Sequence, residues 1–150
     1  MIALGQKVEP QNVILHDHSE ATILTKGKKY LLFFYPKDNT PGCTAEACSI
    51  SNSYDALKKK GYEIYGVSVD SPKSHMKFIE KFSFPFPLIS DESKQLVEYF
   101  GLWGKKKFMG REYMGTHRAT FLIDENGIVT HVIDDVKTKE AAEQILEILG

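Results

Sequence analysis

The sequence predicts an α/β domain in which helices flank a mixed central sheet, and three neighbouring segments support this fold class. Residues 30–34 form a short, continuously apolar run between lysines and Pro36, which is typical of a buried strand. Apolar side chains then recur at helical spacing from Ala47 onwards. Residues 62–70 are again rich in β-forming and apolar residues. A strand, a helix and a second strand in this order predict a βαβ unit.

The segments around this unit complete the first half of the chain. Residues 13–15 and 21–24 predict a small hairpin near the N-terminus. The helix of the βαβ unit is expected to be one long helix, because Gly61 can end it after a run of lysines. Ser71 and Pro72 open a further helix with three apolar residues on one face. These residues are Met76, Ile79 and Phe82.

The next segments are shorter and less regular. Residues 86–90 predict a short strand, and residues 94–100 predict a short helix. Residues 102–117 are rich in glycine and cations and show no clear period. We therefore expect this segment to be an excursion on the protein surface, with solvated lysines.

The C-terminal segments predict how the domain closes. Residues 119–124 and 128–133 flank the turn signal at 125–127 and predict a hairpin. Residues 139–149 predict a last helix, with apolar residues at helical spacing. A βαβ unit, a helix, a hairpin and a closing helix follow one another in the order of a thioredoxin-like domain. We expect residues 1–150 to form this one domain, since no linker or repeat interrupts them.

Composition and charge disfavour several classes of partner. The chain has 42% hydrophobic and 26% charged residues and a net charge of −1, so it lacks the field that would gather nucleic acid or anionic lipid. The longest apolar run, residues 30–35, is far too short to cross a membrane, and residues 1–10 lack the features of a secretory signal. We expect a cytoplasmic monomer that binds neither nucleic acid nor membranes.

Both cysteines lie in one segment, residues 35–48, directly after the first strand of the βαβ unit. Thr40 suits a helix N-cap, where its hydroxyl can accept a hydrogen bond from a backbone N–H group, and Pro41 suits the first helical position. Cys43 then falls in the first turn. The helix dipole and the free N–H groups of that turn favour a thiolate, which is the nucleophilic form of cysteine. A nearby cation would have to supply the rest of the stabilisation.

The second cysteine, Cys48, follows Cys43 by five residues. On an α-helix this spacing places the two Cα atoms about 8.7 Å apart on divergent faces. A disulfide requires a separation below about 7 Å. If Cys43 and Cys48 are a redox pair, the helix must therefore unwind when the disulfide forms.

The pattern of Pro36, Thr40, Cys43 and Cys48 resembles the active-site signature of the peroxiredoxins. The sequence of residues 35–48 most resembles that of the branch called peroxiredoxin Q or bacterioferritin comigratory protein. The likeness runs from about residue 29 to residue 127 and includes three further segments. These are residues 66–71, 86–91 and 115–124. The resemblance implies a thioredoxin-like fold and an antioxidant thiol peroxidase that reduces hydrogen peroxide and organic hydroperoxides without a metal or organic cofactor.

The resemblance also assigns roles to five residues. It makes Cys43 the nucleophile, which is oxidised to a sulfenic acid, and Cys48 the resolving thiol that forms a disulfide with it. It makes Arg118 the active-site arginine, which fits the need for a cation because a guanidinium stays charged. Thr40 would bind the peroxide, and Pro36 would screen the sulfur from water. Thioredoxin or a similar dithiol is then expected to reduce the disulfide.

Other interpretations of these residues remain open at this point. Cys43 can be a small buried residue, Arg118 a surface cation, and Glu46 either a partner of Arg118 or a solvated carboxylate. A disulfide reductase on the same fold would use two cysteines at a helix start, although that chemistry favours a two-residue gap. A metal carrier would need a third ligand near the cysteines, and no histidine of the sequence is grouped with them as in known zinc sites.

Overall fold

The computed structural model describes residues 1–150, which fold into a mixed sheet, two separate hairpins and five α-helices. A short 3-10 turn, Thr138–Glu140, precedes the last helix. In chain order the elements are β1 (Gln11–Ile14), β2 (Glu20–Ile23), β3 (Lys29–Phe34), α1 (Pro41–Asn52), α2 (Tyr54–Lys59), β4 (Tyr62–Ser68), α3 (Pro72–Phe82), β5 (Leu88–Ser90), α4 (Gln95–Tyr99), β6 (Trp103–Phe108), β7 (Arg111–Thr116), β8 (Ala119–Ile123), β9 (Val129–Ile133) and α5 (Ala141–Leu149).

The central sheet has the strand order β5-β4-β3-β8-β9, and β3 lies in its middle. Strand β3 pairs in parallel with β4 and antiparallel with β8, so the predicted mixed sheet is confirmed. Both of its faces are covered. Leu32 and Phe34 point into one core together with Phe121, while Leu31 and Phe33 point into the other core. The continuous apolar run of β3 is explained by this burial on both faces.

The predicted long helix after β3 is instead two helices that meet at Ser53. The backbone of Ser53 leaves the helical region, with φ −110° and ψ 15°. Ser51, Asn52 and Ser53 are adjacent in sequence, and short polar side chains compete with the helix for backbone hydrogen bonds. Ile50, before the break, and Leu57, after it, are buried in the same core. The apolar pattern of the sequence therefore continues across the break.

Residues 103–115 lie on the surface or are only partly buried, as expected, but their regular secondary structure was not predicted. This segment is a regular antiparallel hairpin, β6–β7, in which Phe108 pairs with Arg111. Met109 and Gly110 form its two-residue turn, and both have positive φ. That geometry suits a tight hairpin, but methionine is an unusual residue for it, and the charged strands hide the alternation of buried and exposed side chains.

Helix α3 begins at Pro72 after the N-cap Ser71, as predicted, but its most buried face differs from the predicted one. Met76, Ile79 and Phe82 are only partly buried, whereas His75 and Phe78 are at most 2% exposed. The buried face includes a histidine because both of its ring nitrogens have hydrogen-bond partners in the interior. None of the five helices has the length and apolarity needed to cross a bilayer.

The assignment of the core predicts that a buried and an exposed phenylalanine differ strongly in their contribution to stability. Phe121 is fully buried and packs against Phe34 and Phe100, whereas 66% of Phe108 is exposed. We expect Phe121→Ala to lower the free energy of unfolding by about 3 to 5 kcal/mol, because it leaves a cavity. The matched control Phe108→Ala should stay within about 0.5 kcal/mol of the unmodified protein. Urea unfolding measures both values, and equal losses would contradict this assignment of the core.

Candidate active site

Cys43 lies at the third position of α1, which starts one short loop after the central strand β3. Thr40 is the N-cap residue, with φ −93° and ψ 155°, and Pro41 is the first helical residue. The hydroxyl of Thr40 does not accept the predicted hydrogen bond from a helix N–H group. It donates instead to the carbonyl oxygen of Lys37 at 2.9 Å. Its lone pairs therefore remain available to a ligand.

Arg118 brings a positive charge to the sulfur of Cys43. It directly precedes β8, and Ala119 at the start of β8 pairs with Phe34 at the end of β3. The guanidinium atom Nη2 lies 3.4 Å from the Cys43 Sγ atom. A Cβ atom on Gly42 would lie 3.4 Å from Nη2, so the absence of a side chain there leaves room for the guanidinium.

Glu46 is the second partner of Arg118, and it lies one helical turn after Cys43. Its Oε1 atom accepts a hydrogen bond of 2.5 Å from Arg118 Nη1, while its Oε2 atom is buried and has no hydrogen-bond partner. The side chain is fully buried, and this burial raises the pKa of Glu46 to about 7 despite the attraction of Arg118. Burial also opposes the charge of Arg118, but Glu46 and Cys43 outweigh it and raise the pKa of the guanidinium.

Cys48 has a different environment on the same helix. Its thiol is free and half-buried, and burial raises its pKa. Arg118 forms hydrogen bonds to Glu46 and Cys43, and none with Cys48. This difference makes Cys43 the cysteine that is better suited to react as a thiolate.

Cys43 opens into a cavity of about 610 Å³. Four of the five predicted site residues line this cavity, namely Pro36, Thr40, Cys43 and Arg118. Cys48 is not part of its lining. The hairpin β6–β7 forms the opposite wall, which is largely apolar and contains Trp103, Phe108, Tyr113 and Met114. The segment that we expected to be a surface excursion thus supplies half of the residues that line the cavity.

A buried hydrogen-bond network fixes the loop between β3 and α1, and sequence analysis did not detect it. Asp38, in this loop, accepts hydrogen bonds from the Tyr35 hydroxyl at 2.6 Å and the Ser74 hydroxyl at 2.8 Å. Its backbone N–H donates to Asp70 at 2.9 Å. His75 Nδ1 lies 2.7 Å from the Asp38 carboxylate. These bonds tie the loop that carries Pro36 and Thr40 to the end of β4 and to α3.

The position of one hydrogen in this network follows from its geometry. His75 Nε2 faces the carbonyl oxygen of Ile89 at 2.9 Å, and a carbonyl can only accept, so Nε2 carries a hydrogen. The other ring nitrogen, Nδ1, faces the Asp38 carboxylate. Burial, followed by the charge of Asp38, raises the pKa of Tyr35 far above its ordinary value. The ligand atoms of Asp38, Asp70 and His75 lie within 4.8 Å of one another, as in a metal site, but hydrogen bonds within the network account for their proximity.

The comparison with known proteins identifies the family. Residues 6–132 match the model of the AhpC/TSA family. The chain belongs to this family. Peroxiredoxin Bcp of Escherichia coli K12 is 46% identical over 121 residues, which cover 81% of this chain and 78% of the relative. Peroxiredoxin Bcp of Bacillus subtilis is 43% identical over 150 residues, which cover 99% of this chain and 95% of the relative.

Solved structures with a similar fold come from the same group of proteins as these sequence relatives. A Xylella fastidiosa peroxiredoxin Q mutant superposes with a TM-score of 0.91 at 30% identity, covering 99% of this chain and 96% of the other. The bacterioferritin comigratory protein of Xanthomonas campestris superposes with a TM-score of 0.89 at 32% identity and the same coverage. The predicted thioredoxin-like fold and the predicted peroxiredoxin Q branch are therefore confirmed. The predicted enzyme class, a thiol-dependent peroxidase, is confirmed as well.

The raised pKa of Glu46 predicts a specific dependence of stability on pH. Between pH 4.5 and about 7 the folded protein holds a proton on Glu46 that the unfolded chain has lost, so stability falls as pH rises through this window. Glu46→Gln removes this effect. We expect the stability of the variant relative to the unmodified protein to increase by about 3 kcal/mol across the window. Urea unfolding at several pH values measures the difference, and Glu147→Gln, at an exposed position, is the control. A difference that is independent of pH would contradict the burial argument.

Proposed function

We propose that this peroxiredoxin reduces hydrogen peroxide and organic hydroperoxides in antioxidant defence, with Cys43 as the nucleophile. The observation that carries the proposal is the 3.4 Å contact between Arg118 Nη2 and Cys43 Sγ at the start of a helix. The guanidinium and the helix N-terminus both stabilise a negative sulfur. The same groups face the cavity through which a peroxide would approach.

In the first step the Cys43 thiolate attacks the terminal peroxide oxygen. A sulfur–oxygen bond forms as the oxygen–oxygen bond breaks, and the electron pair of the broken bond leaves with the other oxygen. The transferred oxygen keeps its hydrogen, which makes Cys43 a sulfenic acid. The departing oxygen takes a proton from the solvent and leaves as an alcohol, or as water when the substrate is hydrogen peroxide.

Three groups bind the peroxide and stabilise the charge that develops in this step. Arg118 donates to the oxygens through the guanidinium hydrogens that do not bind Glu46. The first-turn N–H groups of α1 have no partner within the helix and can donate as well. Thr40 already uses its hydroxyl hydrogen on Lys37, so its role is to accept the hydrogen bond of the peroxide O–H group. Pro36 lies at the rim of the cavity, where it limits the access of water to the sulfur.

In the second step the Cys48 thiol condenses with the sulfenic acid, and a disulfide and one water molecule form. Cys43 and Cys48 lie on the same helix, so α1 must first unwind. Unwinding would expose Ala47 and Ile50, which are fully buried, and would break the hydrogen bond of 3.0 Å from Ala142 N to Ser49 Oγ. Thioredoxin or a similar dithiol then reduces the exposed disulfide and restores both thiols.

The contacts of Cys43 argue against the two other functions considered from sequence. A guanidinium at 3.4 Å from the sulfur repels a metal cation, which disfavours a metal carrier. A disulfide reductase favours a two-residue gap, with which its disulfide forms without unwinding of the helix, whereas Cys43 and Cys48 are five residues apart. The absence of a strong net charge supports the further proposal that the protein binds neither nucleic acid nor anionic membranes. The monomeric state stays a prediction. The single domain and the cytoplasmic location stay predictions.

The serine variants of the two cysteines are predicted to be blocked at different steps of the reaction. Cys43→Ser should abolish peroxide reduction, because it removes the nucleophile. Cys48→Ser should still consume one equivalent of peroxide and accumulate a sulfenic acid, because only the condensation is blocked. Labelling with dimedone and mass spectrometry measure the sulfenic acid, and the double variant is the control. Equal loss of the first turnover in both single variants would refute the assignment of roles.

The oxidised protein is predicted to lose structure in α1. Disulfide formation breaks the backbone hydrogen bonds of roughly two helical turns. Each of these hydrogen bonds contributes about 1 kcal/mol net to stability. Amide hydrogen exchange should therefore become faster between residues 40 and 53 after oxidation, while β3 and β4 stay protected. Because α1 ends at Ser53, α2 should keep its protection as well. Identical exchange in the reduced and disulfide forms would show that Cys48 is not the resolving thiol.

A further inference from the structure

The hairpin β6–β7 carries three consecutive lysines, and the middle one differs from its neighbours. Lys105 and Lys107 are exposed on the outer face of β6. Lys106 is half-buried and lines the cavity into which Cys43 opens. Alternation along a strand thus turns one lysine of the three towards the cavity.

The position of Lys106 is fixed by contacts within the hairpin. Its ammonium group donates a hydrogen bond of 3.0 Å to the carbonyl oxygen of Thr116. A Cβ atom on Gly115 would lie 3.1 Å from the Lys106 side chain, so a larger residue there would displace the lysine. Thr116 lines the same cavity, and its hydroxyl is buried without a hydrogen-bond partner. Thr116 thus holds the ammonium group through its carbonyl oxygen and has an unpaired hydroxyl that could bind an oxygen of a ligand.

The charge of Lys106 is unfavourable in the free protein. Burial and, secondly, the charge of Arg118 lower the pKa of Lys106, whereas Cys43 raises it. Lys106 also takes part in none of the three salt bridges of the chain. Glu46 accepts a hydrogen bond from Arg118, but no carboxylate lies within salt-bridge distance of Lys106. A second cation beside the first costs stability, and such a cost is typical of groups that act on a substrate.

We propose that Lys106 is a further catalytic residue of the peroxidase reaction, and that its ammonium group stabilises the negative charge on the departing peroxide oxygen. The proposal rests on the proposed function, in which Cys43 attacks the other peroxide oxygen. Arg118 lies beside the sulfur and binds Glu46, so it donates from the side of Cys43, while Lys106 acts from the facing wall of the cavity. The electron pair of the oxygen–oxygen bond moves towards the ammonium group as the bond breaks. The departing oxygen then takes its proton from the solvent, and Lys106 remains charged.

The test uses the full chain with Cys48→Ser, so that only the reaction of Cys43 with peroxide is measured. Rapid quenching and mass spectrometry give its rate constant with cumene hydroperoxide, and alkylation by iodoacetamide gives the reactivity of the same thiolate. Both are measured at a pH at which alkylation has reached its plateau. The ratio of the two rate constants then reports the step in which the departing oxygen gains charge.

Lys106→Met should lower this ratio by about 10- to 100-fold, because one charged donor is lost from a partly exposed site. Lys106→Arg should keep it within about threefold, since the charge remains. Lys107→Met, at the exposed neighbouring position, is the matched control and should leave the ratio unchanged. Thermal unfolding checks the fold of each variant, and Lys106→Gln replaces Lys106→Met if the latter does not fold.

The outcomes separate this inference from the function on which it rests. If the Cys48→Ser protein itself does not react with peroxide, the proposed function is wrong. If it reacts and Lys106→Met has the same ratio as Lys107→Met, the role of Lys106 is wrong. An equal loss in folded Lys106→Arg and Lys106→Met overturns the role as well, because the charge would then not be what matters.

Discussion

The contact between the Arg118 guanidinium and the Cys43 sulfur joins residues that are 75 positions apart, and much of the fold contributes to it. Strand β3 delivers α1 at one of its ends, and its antiparallel partner β8 starts beside that end. Burial of β3 on both faces keeps this pairing rigid. Glu46, which lies in α1 like Cys43, completes the arrangement because it accepts a hydrogen bond from the other terminal nitrogen of the guanidinium, Nη1. A shift of either strand by one residue would turn every side chain to the opposite face and separate the two groups.

The loop between β3 and α1 needs support of its own, because a loop positions side chains less accurately than a strand. The buried network of Asp38 and His75 provides that support. It connects the loop to α3, to the end of β4 and, through the carbonyl of Ile89, to the edge strand β5. The network has no part in the proposed chemistry. Its function is to hold Pro36 and Thr40 at the rim of the cavity.

Local features of the structure were predictable from the sequence. Thr40 and Pro41 define a helix start that fixes the position of Cys43, and the apolar run of β3 defines the strand before it. Contacts between distant residues and elements built from atypical residues were not predictable. Nothing in the sequence connects Asp38 with His75, which are 37 positions apart. The Met109-Gly110 turn lacks the usual turn residues, and the lysines of β6 conceal a strand that forms a wall of the cavity. The resemblance to peroxiredoxins supplied Arg118, which its local sequence would leave as a surface cation.

In the proposed mechanism helix α1 is ordered during the attack on the peroxide and unwinds for the disulfide, and the oxidation of Cys43 itself would favour the change from one state to the other. While Cys43 is a thiolate, its negative charge binds Arg118 and the helix N-terminus. Oxidation to a sulfenic acid removes that charge, so both attractions weaken at the moment when Cys43 has to leave its position. Arg118 stays in place because Glu46 still binds it. Because α1 ends at Ser53, the proposed unwinding would be confined to α1 and would leave the packing of α2 intact.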